Sequence, residues 1–251
     1  MDLIYETRGK AREYAPLSAD LYSGCAHRCG YCYVPGSANV PADRFHRQCI
    51  PRQDAVRRFA ADLDDLERRH DNRLILLSFG CDLYPPPPHD SAVTRAVIKQ
   101  LVERRRRFTV LTKGGTRACR DFDLLADAAQ ASFGSTLVFT DQKMADVWEP
   151  GAAGLTDRIT AIEAARRCGI ATWVSIEPVI SPDQAIELVQ RYHTLVDHWK
   201  VGKVNYLPEI EKSIDWHRFR DEITRTFESV GADYYIKKSL TDIEPKLSCN
   251  P

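Results

Sequence analysis

The chain has 251 residues, 43% of them hydrophobic, enough to bury a sizeable core in one large domain or two small ones. Lysine plus arginine equals aspartate plus glutamate at 35 each, so any nucleic-acid binding rests on a local patch and not on bulk charge. No apolar run is long enough to cross a bilayer, and the opening MDLIYETRGK lacks the apolar segment of a secretory signal. The expectation is a cytoplasmic protein with no membrane partner, whose eight cysteines stay reduced.

In chain order, the stretch ADLYSG is extended and runs into a cysteine loop. Residues 52–69 carry Val56, Phe59, Leu63 and Leu66 on one helical stripe. LILLSFG (74–80) is a continuous apolar run ended by glycine, the pattern of a buried parallel strand. A helix over 91–104, a strand over 107–114, a helix over 122–131 and a strand over 135–140 follow. Thr156 is placed to cap a helix that Gly169 stops, and residues 170–178 read as a strand. Ser181-Pro182-Asp183-Gln184 has the form of a capping box and opens a helix to about Tyr192. Residues 197–204 form a sixth strand and 216–230 a sixth helix, and ADYYIKK adds a last short strand.

Strand then helix, repeated six times with short connections, predicts a parallel α/β fold. Periodicity alone fits either a partial (β/α)6 barrel or an open wound sheet. In both, ligands gather at the carboxyl ends of the strands. Those ends carry the cysteine loop, then Gly80-Cys81-Asp82-Leu83-Tyr84, Thr112-Lys113-Gly114, Thr140-Asp141-Gln142, Glu177-Pro178, and finally Lys203 and Asn205. The run Arg104–Arg107 lies at the opposite face and reads as a solvated helix end.

The cysteine loop is YSGCAHRCGYCY, residues 22–33, with Cys25, Cys29 and Cys32 spaced C-x3-C-x2-C. Thiolates so close suit zinc or an iron–sulfur cluster. Zinc wants four protein ligands, but His27 lies cramped between two of the cysteines, and Cys49 stands alone with His46 nearby. A [4Fe–4S] cluster on three thiolates keeps one iron open for a substrate or cofactor, and S-adenosylmethionine is the most economical occupant.

CAHRCGYC, with Tyr31 as the aromatic, resembles the C-x3-C-x-aromatic-C signature of radical SAM enzymes. LYSGCAHRCGYCYVPG, the later DLYPP and LTKG, and GAAGLTDRITAIEAARRCGIATWVSIEPVI are similar to the spore photoproduct lyase-like branch. The resemblance covers roughly residues 18–240, leaving an N-terminal extension (1–17) and a C-terminal tail (241–251).

It implies a partial (β/α)6 barrel of the TIM type. It also implies a [4Fe–4S] cluster on Cys25, Cys29 and Cys32 that cleaves S-adenosylmethionine reductively, so that a hydrogen is abstracted from substrate. Tyr31 would pack beside cluster and adenine. Asp82 would meet the cofactor's ammonium and Lys113 its carboxylate, Thr140 its ribose or carboxylate, and Glu177 the cofactor or the substrate. Cys81 would serve as hydrogen donor, although it adjoins the aspartate where spore photoproduct lyase has its cysteine further upstream. Tyr84 is the alternative radical-quenching or stacking residue. Arg158 reads as a helix-surface or helix-to-loop ion pair, and Cys49, Cys119, Cys168 and Cys249 as incidental. The implied partners are a nucleic acid or nucleotide and a flavodoxin- or ferredoxin-type reductant. The rival readings are radical chemistry on a peptide or small metabolite, and a non-enzymatic iron–sulfur or zinc protein.

Overall fold

Seven of the eight strands of the main sheet run parallel. The structure, a computed structural model, describes residues 2–88 and 91–243. Its strands are β1 (Ile4–Glu6), β2 (Leu17–Ala19), β3 (Tyr22–Ser23), β4 (Ile50–Pro51), β5 (Ile75–Leu77), β6 (Phe108–Thr112), β7 (Ala131–Thr136), β8 (Ala171–Val179), β9 (His198–Lys203) and β10 (Tyr234–Ile236). The sheet order is β1-β2-β5-β6-β7-β8-β9-β10, with β1 antiparallel to β2. The six strands from β2 to β9 make the partial (β/α)6 barrel, and β10 extends it. The arc ends at β1 and β10, which lie at opposite edges of the sheet. A separate ribbon of β3 and β4 lies where the chain enters and leaves the cysteine loop.

Each parallel step is bridged by a helix whose apolar stripe faces the sheet. Ala55–Arg68 buries Ala55, Phe59, Leu63 and Leu66. Trp216–Val230 buries Trp216, Phe219, Ile223 and Phe227, begins where Asp215 accepts from the N–H of Arg218, and stops at Gly231 with φ 64°. Each large apolar side chain so buried contributes about 1.5–3 kcal/mol.

Several local expectations shift. The fourth barrel strand lies at Ala131–Thr136, not 135–140, and the preceding helix stops at Ala126. Leu137, Val138 and Phe139 are buried all the same. After the Leu137 N–H donates to Ser175 O (3.0 Å) they leave the sheet, and Val138 and Phe139 pack on Ala145, beside Tyr31 and Trp148. A buried apolar run therefore looked like strand while serving as packing under the cysteine loop. Gly154, not Thr156, caps the helix Leu155–Arg167. The capping box at Ser181 does not form, because the Gln184 side chain turns away and accepts from the N–H groups of Thr140 (2.8 Å) and Asp141 (2.9 Å). Nor is the arginine run solvated throughout: Arg104 bonds Asp64 and Glu67, and Arg106 is buried with its guanidinium on Asp71 O. No helix among the described residues is long and apolar enough to cross a membrane.

Candidate active site

A cavity of about 620 Å³ opens at the carboxyl ends of the strands, lined on one side by Cys25, Cys29, Tyr31 and Cys32. The loop that carries these cysteines is held by backbone bonds. The Cys25 N–H donates to Phe45 O (3.1 Å), Gly30 N–H to Trp148 O (2.7 Å), and Gly151 N–H to His27 O (2.9 Å). Gly24, with φ +81°, has no room for a side chain, since a Cβ there would stand 2.1 Å from Gln48 O.

Asp82 lies beneath the loop and is buried. Its carboxylate accepts from Thr112 Oγ1 (2.6 Å) and from the N–H groups of Lys113 and Tyr84 (both 2.9 Å). His27 Nδ1 approaches the same carboxylate at 3.4 Å, while its Nε2 meets the guanidinium of Arg117 at 3.1 Å. Arginine can only donate, so Nε2 accepts and the ring proton lies on Nδ1, facing Asp82. Burial works against the Asp82 charge; the His27 contact and the Thr112 and Lys113 hydrogen bonds outweigh it and hold the carboxyl well below its ordinary range. Asp82 thus ties the second and third strand ends to the cysteine loop.

Tyr31 is fixed on three sides. Its ring stacks on Trp148 at 6.4 Å between centroids, its hydroxyl donates to Glu149, and the Lys113 ammonium lies 5.4 Å from its centroid. Glu149 pairs with Arg158 at 2.5 Å, and both are buried. Arg158 also donates to Ala153 O and Thr136 O; of the two expected forms of ion pair it makes the helix-to-loop one, and it lies inside the protein and not on the helix surface.

The opposite wall is built by the N-terminal segment and the last strands. Residues 8–11 and Tyr14 line it together with Glu177, Asn205, Tyr206 and Lys237. Glu177 accepts from the Tyr14 hydroxyl and from Lys237 Nζ (2.6 Å). A Cβ at Gly202 would stand 2.6 Å from Glu177 Cδ, so the glycine makes room for this carboxylate. Cys81 also lines the cavity, its Sγ 3.3 Å from Ser78 Oγ. Burial, then the nearby Asp20 carboxylate, raises its thiol well above the ordinary range, so it keeps its S–H.

Two sequence candidates lie elsewhere. Thr140 hydrogen-bonds Gln184 and Glu187 and is not a lining residue; because β7 starts early, Thr136 holds the strand-end position and faces the cavity. Tyr84 is buried, also away from the lining, with its hydroxyl donating to Asp121 (3.0 Å). Cys49 is buried, Cys119 partly buried and Cys168 exposed, and none lines the cavity; Cys249 and most of the C-terminal tail fall outside the described residues. Sequence reasoning did not find Glu149, Arg117, Tyr14, Lys237 or Tyr206 as parts of this region. No spacing marks them, because long-range packing brings them in.

Residues 20–195 match the Radical SAM superfamily. The chain belongs to that superfamily. Its cofactors are a [4Fe–4S] cluster and S-adenosylmethionine, as the sequence led us to expect. No curated protein matches the chain. Among solved structures, a mutant of spore photoproduct lyase is similar with TM-score 0.71 and 13% identity over 92% of this chain and 79% of its own. A second lyase mutant, with bound S-adenosylmethionine and dinucleoside spore photoproduct, has TM-score 0.69 and 13% identity over 92% and 78%. SuiB from Streptococcus suis, bound to S-adenosylmethionine, has TM-score 0.65 and 14% identity over 91% of this chain. The chain spans about half of SuiB, 53% of its length.

The residues present fit the radical SAM cofactors. Among the described residues no three His, Cys, Asp or Glu side chains converge on a point for a single ion. A cubane cluster needs no such convergence, since each thiolate takes a different iron and the three stand around a void. Cys25, Cys29 and Cys32 all line the one cavity and none is in a disulfide, as such a cluster requires. Burial raises all three thiols, Cys25 with added repulsion from Asp82 and Cys29 to about 12 despite Lys113, so a cluster held on them would have to displace their protons.

Proposed function

We propose that this radical SAM protein holds its cluster on Cys25, Cys29 and Cys32 and abstracts a hydrogen atom from a nucleic acid or nucleotide in a lyase-like reaction. The observation that carries the site assignment is the single cavity onto which the three thiols, Tyr31, Asp82, Lys113 and Glu177 all open. When bound, the cluster and S-adenosylmethionine supply reductive cleavage and, from it, hydrogen abstraction.

The protein's own groups orient and exclude water. Lys113 receives the cofactor's carboxylate, helped by the charge-assisted pairing that an ammonium makes. The Tyr31 ring, held by its stack on Trp148 and its hydrogen bond to Glu149, gives the adenine a fixed neighbour. Asp82 spends its oxygens on Thr112, Lys113, Tyr84 and His27, so its part is to position the loop, and the cofactor's ammonium falls to Glu177 or to backbone carbonyls. Cys81 retains an S–H at the cavity wall and serves as hydrogen donor to a product radical. The electron comes from a flavodoxin- or ferredoxin-type donor in the cytosol, where unpaired thiols persist.

Support for a nucleic-acid substrate comes from the sequence similarity to the spore photoproduct lyase-like branch, and one similar structure holds a dinucleoside spore photoproduct. The rival, a peptide, is what SuiB binds in another similar structure. Anaerobic turnover with deuterated oligonucleotide or deuterated peptide separates them. Deuterium in 5′-deoxyadenosine from the oligonucleotide is the expected result. Deuterium from the peptide alone would overturn the substrate assignment.

A further inference from the structure

The cavity rim carries a residue that the cofactor chemistry leaves unused. Tyr206, in the loop after β9, has φ 64°, a backbone conformation that strains a bulky residue. Burial does not offset that strain, since the ring is 76% exposed. Neighbouring contacts hold the loop instead. Asn205 accepts from Lys10 of the N-terminal segment, and its side-chain amide donates to Lys203 O (3.0 Å).

The Tyr206 ring stacks on Tyr33 with centroids 6.1 Å apart and planes 26° apart. Tyr33 in turn contacts Phe79 at 6.1 Å, and Phe79 contacts Tyr14 at 5.6 Å. A row of rings thus runs along the cavity wall and ends in an aromatic face open to solvent. Arg8 and Lys10, both exposed, line the same cavity.

An open aromatic face beside cations is what binds an unpaired base and its phosphate: the ring stacks on the base, and the cations meet the backbone. A tyrosine kept only for packing would be buried, and an apolar protein contact would have no use for the cations. We propose that Tyr206, backed by Tyr33 and sharing its cavity with Arg8 and Lys10, is the stacking platform for one unpaired base of a single-stranded nucleic acid. The proposal rests on the nucleic-acid reading above and adds where that substrate is gripped. It also fits a chain of zero formal net charge, whose affinity must come from a local patch.

The test is anaerobic fluorescence anisotropy of the reconstituted protein with a fluorescein-labelled oligothymidylate across a salt series. Tyr206→Ala is expected to weaken binding about tenfold, and Tyr206→Phe to retain it. Arg8→Ala is expected to reduce the slope of log affinity against log salt by about one. Circular dichroism checks that each variant is folded. Equal affinity of Tyr206→Ala and wild type would overturn the platform. So would a wild-type protein that forms 5′-deoxyadenosine yet binds no oligonucleotide, or binds a peptide instead. Failure of the radical chemistry itself reads out separately, as a wild-type protein that forms no 5′-deoxyadenosine.

Discussion

The guanidinium of Arg158 lies 2.5 Å from one carboxylate oxygen of Glu149, and the hydroxyl of Tyr31 donates to the other. Glu149 therefore joins a buried ion pair to the aromatic residue of the cysteine motif. Burial opposes its charge, but Arg158 and then Lys113 outweigh that and hold the carboxyl below its ordinary range. Glu149→Ala would strand a buried guanidinium and is expected to cost about 3–5 kcal/mol by denaturant unfolding. Replacing both partners, Glu149→Leu with Arg158→Met, should recover most of that loss. A single substitution costing under about 1 kcal/mol would mean that the pair holds nothing together.

The proposed cluster ligation divides the cysteines into two sets. Cys29→Ala is expected to abolish the cluster absorbance and to lower bound iron after reconstitution. Cys49→Ala, which removes a buried thiol outside the cavity, should keep full iron and lose only about 1 kcal/mol of stability. Iron retained by the first variant, or lost from the second, would move the ligand set.

Lys113 has its backbone N–H on Asp82 and its ammonium over Tyr31. If that ammonium holds the carboxylate of S-adenosylmethionine, Lys113→Ala should weaken cofactor binding about tenfold, as for loss of one charge-assisted hydrogen bond, with iron content unchanged. Equilibrium dialysis with labelled cofactor measures both. Unchanged affinity would make Lys113 a strand-end lysine and nothing more.

Lys200 gives a pH signature. Burial, and then the charge of Lys237, lowers its pKa to about 8, below the ordinary lysine value of about 10.4. Between those values the unfolded chain binds more protons than the folded one, so stability rises as pH increases. The full cost of the buried ammonium is present below pH 8 and is relieved as pH climbs towards 10. After allowance for partial solvent access the gain is roughly 1–3 kcal/mol. Lys200→Met should flatten urea-denaturation stability across that window. A wild-type curve already flat there would contradict the assignment.

The legible part of the molecule was the part encoded locally. The C-x3-C-x2-C spacing marked the loop, the strand–helix alternation led to the helix Trp216–Val230, and strand ends led to Cys81, Asp82, Lys113 and Glu177 at the cavity. Thr140 lies off the cavity because Val138 and Phe139 are apolar for packing under the cysteine loop and not for the sheet, which leaves the strand end at Thr136. Tyr84 lies off the lining for a related reason: a strand-end loop has two faces, and only contact with Asp121 tells which one it takes. Glu149, Arg117, Tyr14 and Lys237 come from four separate segments. Their place is set by pairings such as Tyr14 with Glu177, 163 residues apart, to which no local pattern points.

The most direct test is electron paramagnetic resonance of the anaerobically reconstituted, reduced protein with and without S-adenosylmethionine. A [4Fe–4S]⁺ signal that shifts when the cofactor is added, followed by accumulation of 5′-deoxyadenosine, is the expected result. A cluster signal indifferent to the cofactor, with no 5′-deoxyadenosine formed, would contradict an open iron at the Cys25, Cys29 and Cys32 loop and leave the cluster a structural or sensing role.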